Sequence, residues 1–159
     1  MGADRMADSA STIPQLPVLA ASAAVFREDG RVLLARRGLP PSVGVWTLPG
    51  GRVEPGETLA LAAAREVMEE VGVTCTILGV AGAVDIIKRD EDGAIAHHFV
   101  VISHAARWDF GEPTPGPEAA EVGWFEPDEL PNEITPGLQL IVTAARLIAL
   151  AQAAPDAEG

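Results

Sequence analysis

Apolar positions along the chain switch between two periods, and the switches mark the elements. Val18 to Phe26 is an almost unbroken apolar run, partly β-branched, and predicts a strand. Glu28-Asp29-Gly30 is a hairpin turn signal, so Arg31 to Ala35 predicts the return strand. Arg36 to Val45 contains Gly38, Pro40, Pro41 and Gly44 and reads as loop. Val45 to Leu48 reads as a short extended piece before a Pro49-Gly50-Gly51 turn. The clearest helix is Thr58 to Val71, with Thr58 suited to cap its start and Gly72 to end it. Leu61, Ala64, Met68 and Val71 recur at three- and four-residue spacing there and predict the packing stripe.

Beyond Gly72 the pattern turns to period two. Val73 to Lys88 predicts a strand bent at Gly79 and Gly82, and Asp90-Glu91-Asp92-Gly93 is a second hairpin turn. Ile95 to Trp108 is its return strand, Gly111 to Pro117 a loop, and Val122 to Phe125 a short strand. Thr135 to Ala153 predicts a second helix with Pro136 in its first turn. Strands interleaved with two helices and joined by hairpins predict an α/β or α+β sandwich with a mixed sheet.

Composition narrows this picture. A chain of 159 residues, 48% hydrophobic and 21% charged, predicts one folded domain. We place it at residues 18–153, with a disordered N-terminal tail, residues 1–17, and a C-terminal tail, residues 154–159. No apolar run approaches the ~20 residues of a bilayer span, and no secretory signal pattern is visible, so cytoplasm is the expected compartment. The single cysteine, Cys75, excludes an internal disulfide and reads as a small apolar residue. A formal net charge of −12 argues against a nucleic-acid partner, because a phosphate backbone demands a basic surface. A small polyanion can bind such a protein where divalent cations or local arginines offset the repulsion.

Candidate chemistry lies on the first helix. Glu66, Glu69 and Glu70 fall within an arc of ~100°, and Glu66 and Glu70 form a like-charge pair at four-residue spacing. An acidic run of this kind is commonly just a solvated face. Here only Arg65 offers local compensation, and a divalent cation would relieve the repulsion. Oxygen-only ligands suit Mg²⁺, with Mn²⁺ as a substitute. Gly50 and Gly51 let the backbone approach a ligand and can free a carbonyl for a metal.

The spacing Gly51, five residues, Glu57, seven residues, then Arg65-Glu66-Val67-Met68-Glu69-Glu70-Val71-Gly72-Val73 resembles a complete Nudix box. The resemblance runs from about Val18 to about Leu150. It implies the Nudix fold, an α/β/α sandwich around a mixed β-sheet, and hydrolysis of a nucleoside diphosphate linked to another group. It also implies roles for individual residues. Glu66, Glu69, Glu70 and the Gly50 carbonyl would be metal ligands, and a box carboxylate, most often the one at Glu66, would serve as general base. Glu57 would hold Arg65, Arg65 would orient the ligand carboxylates, and Val67 and Val73 would be core. A further glutamate is expected before the late tryptophan-containing strand, at Glu118 or its rival Glu121. Arg37, or alternatively Arg36, would touch substrate.

The stretch from Arg36-Arg37-Gly38 through Trp46 to Gly51, the hairpin from Val84-Asp85 to His97-His98-Phe99-Val100, and Ala119 to Phe125 together are similar to small bacterial ADP-ribose pyrophosphatase-like Nudix proteins. This implies ADP-ribose or another ADP-sugar as substrate, giving AMP and a sugar phosphate. A nucleoside triphosphate pyrophosphatase and a catalytically inactive binding module are the alternatives. Trp46 or Phe99 would stack on a base, and Trp124 would be core. His97 and His98 are adjacent on a strand and so face opposite sides. His104 reads as structural or exposed. A homodimer is a further possibility that the resemblance raises.

Overall fold

The computed structural model describes residues 16–153. The expected N-terminal tail, apart from its last two residues, and the expected C-terminal tail lie outside the described residues.

In chain order the elements are β1 (Val18–Phe26), β2 (Val32–Arg37), β3 (Trp46–Thr47), β4 (Gly50–Arg52), α1 (Leu59–Val71), β5 (Thr74–Arg89), β6 (Ile95–Phe110), β7 (Ala119–Phe125) and α2 (Leu138–Ala153). The strands form one mixed sheet in the order β3-β2-β1-β6-β5, with β4 beside β1 and β7 beside β2. β1 and β6 run parallel, with Val18 opposite Phe99 and Phe26 opposite Arg107, and the other pairs are antiparallel.

Strand alternation explains why β1, apart from Ser22, and β2, up to Ala35, are apolar at every position. Ala21, Ala23, Val25, Leu33 and Ala35 enter one core, which α1 closes with Ala62, Ala63, Val67 and Val71. Ala24, Phe26, Val32 and Leu34 enter a second core, which α2 closes with Leu138, Ile141, Val142 and Ala145. A strand covered on both faces has no polar side to present. The result is the expected α/β/α sandwich around a mixed sheet.

Local signals hold where they were strongest. Thr58 Oγ1 accepts the Leu61 N–H at 3.2 Å, and Gly72, at φ 73°, ends α1 by donating its N–H to Met68 O. The β5–β6 hairpin turns at Asp90–Gly93, where Asp90 Oδ1 accepts from the Asp92 and Ala94 N–H groups. Its register slips beside Gly79 and Gly82, the two expected bends.

Four expectations are corrected. The buried stripe of α1 is Ala62, Ala63, Val67 and Val71, whereas Leu61 is 63% and Met68 46% exposed. The larger side chains look outward because α1 lies close on β1 and β4, where alanine fits. Gly50 and Gly51 form a strand and not a turn, paired with Ser22 and Ala21 of β1. β7 begins at Ala119, three residues earlier than expected, because β2 offers partners as far as Arg37. α2 starts at Leu138, since Gly137 takes a left-handed φ of 86° that interrupts helical backbone after Pro136.

The corrected stripe has a direct consequence. Val67→Ala should cost roughly 2 kcal/mol of stability, while Leu61→Ala and Met68→Ala should each stay within about 0.5 kcal/mol. Urea unfolding of the three variants checks this, and similar losses at all three would contradict the packing.

Candidate active site

The site is built where α1 meets β4. Rotation along α1 sets Glu66 and Glu70 at the margin of its buried face, not opposite it, so both carboxylates are turned onto the glycine strand. Glu69 looks to solvent and is 58% exposed. The glycines leave room for this arrangement. A Cβ on Gly51 would stand 2.5 and 2.6 Å from the Glu66 carboxylate oxygens, and one on Gly50 would stand 2.6 Å from Ser22 Cβ. Neither glycine has a positive φ; the β1 backbone excludes a side chain at Gly50, and one at Gly51 would displace the Glu66 carboxylate.

β4 supplies polar backbone at this point. Ala23 N–H donates to Pro49 O, and Val53 N–H to Leu19 O. The intervening Ser22–Gly50 pair is therefore of the type that leaves its N–H and C=O outside the β1 ladder. The Gly50 N–H donates to Glu70 Oε1 at 3.0 Å, and the Gly50 carbonyl is free of β1.

Arg65 ties the carboxylates together. Its Nε and Nη2 grip the two Glu57 oxygens at 2.7 and 2.9 Å, a bidentate pair, and Nη2 also reaches Arg52 O. Nη1 donates to Glu66 Oε2 at 3.0 Å and Glu69 Oε1 at 3.1 Å. Glu57 is fixed further by accepting the Glu54 N–H at 3.0 Å.

These contacts separate the carboxylates by protonation. The Arg65 guanidinium lowers the Glu57 carboxyl to about 2. Burial raises Glu70 to about 7, with the Glu66 and Glu118 charges adding to the rise and the Gly50 N–H and Arg37 opposing it. Burial also raises Glu66, although Arg65 restrains it. Among the described residues no three His, Cys, Asp or Glu side chains already converge as a metal cage. The reason is visible: Arg65 holds Glu66 and Glu69, while Gly50 holds Glu70. The donor set nonetheless fits a hard divalent cation, being all oxygen and carrying two carboxyls whose burial such a charge would relieve.

The structure discriminates between the rival candidates by position. Glu118 acts electrostatically on both Glu66 and Glu70. Glu121 instead pairs with Arg36 at 2.8 Å. The chain before Glu118 is stapled to the end of α1, where Thr114 N–H donates to Val71 O and Gly116 N–H to Glu70 O. Glu118 O then accepts the Gly38 N–H at 2.9 Å, which joins it to the residue after Arg37.

A cavity of about 610 Å³ opens from this junction, lined at one end by Gly50, Glu70 and Arg37 and at the other by Lys88, His97 and Phe99. Phe99 and His97 stack with ring centroids 6.1 Å apart. Arg37 is tethered to the cavity wall through Pro41 O at 2.7 Å. Trp46 and Arg36 do not line this cavity. Trp46 packs edge-on against Phe125 at 4.9 Å, and Arg36 bonds Gly44 O in a shallower groove they share. Trp124 packs against the α1-side core, as expected, with Arg27 over its ring at 4.6 Å. His104 is buried, and its Nδ1 bonds Ser22 O at 3.0 Å.

Residues the sequence reading passed over also line the cavity, among them Ser22, Ser103, Asp85 and Lys88. The two serines had a signal: each interrupts an otherwise apolar run on a strand covered on both faces.

Comparison with known proteins agrees with this geometry. The NUDIX domain family model matches residues 16–144. An ADP-ribose pyrophosphatase of Methanocaldococcus jannaschii is 33% identical over 68% of this chain and 62% of its own length. A putative 8-oxo-dGTP diphosphatase of Bacillus subtilis is 30% identical over 70% of this chain and 68% of its own. The crystal structure of a MutT NUDIX hydrolase from Burkholderia pseudomallei superposes with a TM-score of 0.66 at 30% identity, covering 82% of this chain and 98% of that one. The glycine strand and the carboxylate helix it touches thus sit in a chain that belongs to the Nudix family, as a pyrophosphohydrolase acting on phosphorus-containing acid anhydrides.

Proposed function

We propose that the protein hydrolyses the pyrophosphate bond of an ADP-sugar, with ADP-ribose favoured, to give AMP and a sugar phosphate. The observation that carries this reading is the continuity of the cavity. It joins the Glu70–Gly50 junction and Arg37, suited to a pyrophosphate, to the Phe99–His97 stack, suited to a base. The M. jannaschii relative's name points the same way. The B. subtilis relative's name supports the second reading, a nucleoside triphosphate pyrophosphatase.

Glu66, Glu69, Glu70 and the Gly50 carbonyl would hold a divalent cation, Mg²⁺ by preference and Mn²⁺ as a substitute. When bound, such an ion neutralises phosphoryl oxygens and favours in-line attack by water. The chain's own groups do the rest. Arg65, anchored by Glu57, holds one oxygen each of Glu66 and Glu69 and leaves their other oxygens for the cation. Arg37 would leave Pro41 O for a substrate phosphate, a stronger acceptor than a peptide carbonyl. Glu66, whose raised proton affinity suits a general base, would take the proton of the attacking water. Glu118 would assist from the loop stapled to α1. Phe99 would stack on the base, with Trp46 supporting the wall behind β3.

Glu70→Gln keeps the Gly50 hydrogen bond through its amide oxygen but removes the charge. We expect it to lower Mg²⁺-dependent kcat/KM at least about a hundredfold with little change in melting temperature. Unchanged turnover in Mg²⁺ would overturn the site.

A panel of ADP-ribose, other nucleoside diphosphate sugars, dinucleoside polyphosphates and nucleoside triphosphates, ranked by kcat/KM, tests the substrate. ADP-ribose should lead. Release of inorganic pyrophosphate from a better triphosphate substrate would establish the second reading instead.

A further inference from the structure

Beside β4, away from Lys88 and His97 at the far end, the sheet face that floors the cavity carries two serines. Ser22 of β1 and Ser103 of β6 stand opposite each other across the parallel β1–β6 pair, both buried and both lining the cavity. Among the described residues the buried polar side chains are Ser22, Ser103 and His104, and the three are connected. The serine hydroxyls bond each other at 2.9 Å. From the opposite face of the sheet, by strand alternation, His104 Nδ1 meets Ser22 O at 3.0 Å. A carbonyl only accepts, so Nδ1 carries the proton and His104 pins the β1 backbone under the Ser22 side chain.

A hydroxyl has one proton and two lone pairs. In a mutual pair one serine donates, so the accepting serine keeps its own proton. The described residues give neither hydroxyl a second side-chain partner. The pair therefore presents one unspent donor and several unspent lone pairs to the cavity. Such a pair matches a ligand group that also both donates and accepts. A phosphoryl oxygen only accepts, so it can take the one unspent proton but leaves the serine lone pairs without a donor. A sugar hydroxyl does both.

Position agrees with chemistry. Ser22 is the register partner of Gly50, whose N–H holds Glu70, and Ser22 Cβ stands 2.6 Å from where a Cβ on Gly50 would sit. The hydroxyl pair is thus about one or two strand spacings, ~5–10 Å, from the anhydride-binding backbone. In any nucleotide the group next to the phosphates is the ribose.

We infer that the Ser22–Ser103 hydroxyl pair binds a ribose hydroxyl of the substrate's nucleoside and makes the enzyme select ribonucleotides over deoxyribonucleotides. This rests on the nucleotide reading above, but not on which group lies beyond the pyrophosphate.

The test compares ADP-ribose with its 2′-deoxyadenosine and 3′-deoxyadenosine analogues, and ATP with dATP and 3′-deoxy-ATP, on wild type, Ser22→Ala and Ser103→Ala. Wild type should favour the ribonucleotide over at least one deoxy analogue by about tenfold in kcat/KM. Each variant should bring that ratio to about one by losing activity on the ribonucleotide alone, with its melting temperature nearly unchanged. A wild type indifferent to both deoxy analogues would overturn the inference. So would variants that keep the wild-type ratio, including variants that lose all substrates equally. If one variant does not fold, the other decides. Failure of the ADP-sugar reading shows separately, as a wild-type preference for ATP over ADP-ribose, and the hydroxyl ratio is then read on the ATP series.

Discussion

The contact between α1 and β4 governs the rest of the site. Helix and strand lie so close that a single Cβ on Gly51 would occupy the space of the Glu66 carboxylate. That approach draws Glu66 and Glu70 out of water and sets them against backbone. Burial then penalises their charges, so each must find a compensating group. Glu70 finds the Gly50 N–H, and Glu66 finds Arg65. Those partners satisfy hydrogen bonds without supplying full charge balance, which leaves the junction short of positive charge in a chain already at −12. That imbalance is what would draw a hard cation to the junction.

Arg65 is the hinge between structure and chemistry. Glu57 holds it in a bidentate grip and keeps it charged, as the raised Arg65 proton affinity reflects. One guanidinium nitrogen then restrains two carboxylates at once. Farther out, two hydrogen bonds fasten the loop before Glu118 to the end of α1, and a third links Glu118 to Gly38. Hydrogen bonds therefore tie the helix, the glycine strand, the Arg37 segment and this loop into one frame around the mouth of the cavity. The sandwich provides the stiffness, because β1, which carries the β4 pairing, is packed on both faces.

What could be read from the sequence was local. The Thr58 cap, the Gly72 stop and both hairpin turns depend on residues a few positions apart, and each appears where expected. Glu66, Glu70 and Gly50 lie together because one helix and one adjacent strand carry them. Long-range packing was less legible. Leu61 and Met68 outweigh Ala62 and Ala63 in hydrophobicity, yet the close approach to β1 and β4 favours the smaller pair. A Pro-Gly-Gly run looks like a turn, and only the neighbouring β1 makes Gly50–Arg52 a strand. Trp46 carried no local mark of the side it faces, and it settles against Phe125 from the far end of the chain. No helix among the described residues is long and apolar enough to cross a membrane.

Burial of Glu70 also couples proton, fold and cation. Its carboxyl is raised from 4.5 to about 7, so between those values the folded chain holds a proton that the unfolded chain has released. Its contribution therefore stabilises the metal-free protein below about pH 4.5 and is lost as pH rises through about 7. A cation that needs the carboxylate must displace that proton. Isothermal titration of Mg²⁺ at pH 6, 7 and 8, in buffers of different ionisation enthalpy, measures both affinity and proton release. The account predicts affinity rising with pH, close to one proton released near pH 6 and little at pH 8, with this dependence absent in Glu70→Gln. Affinity independent of pH, without proton release, would contradict it.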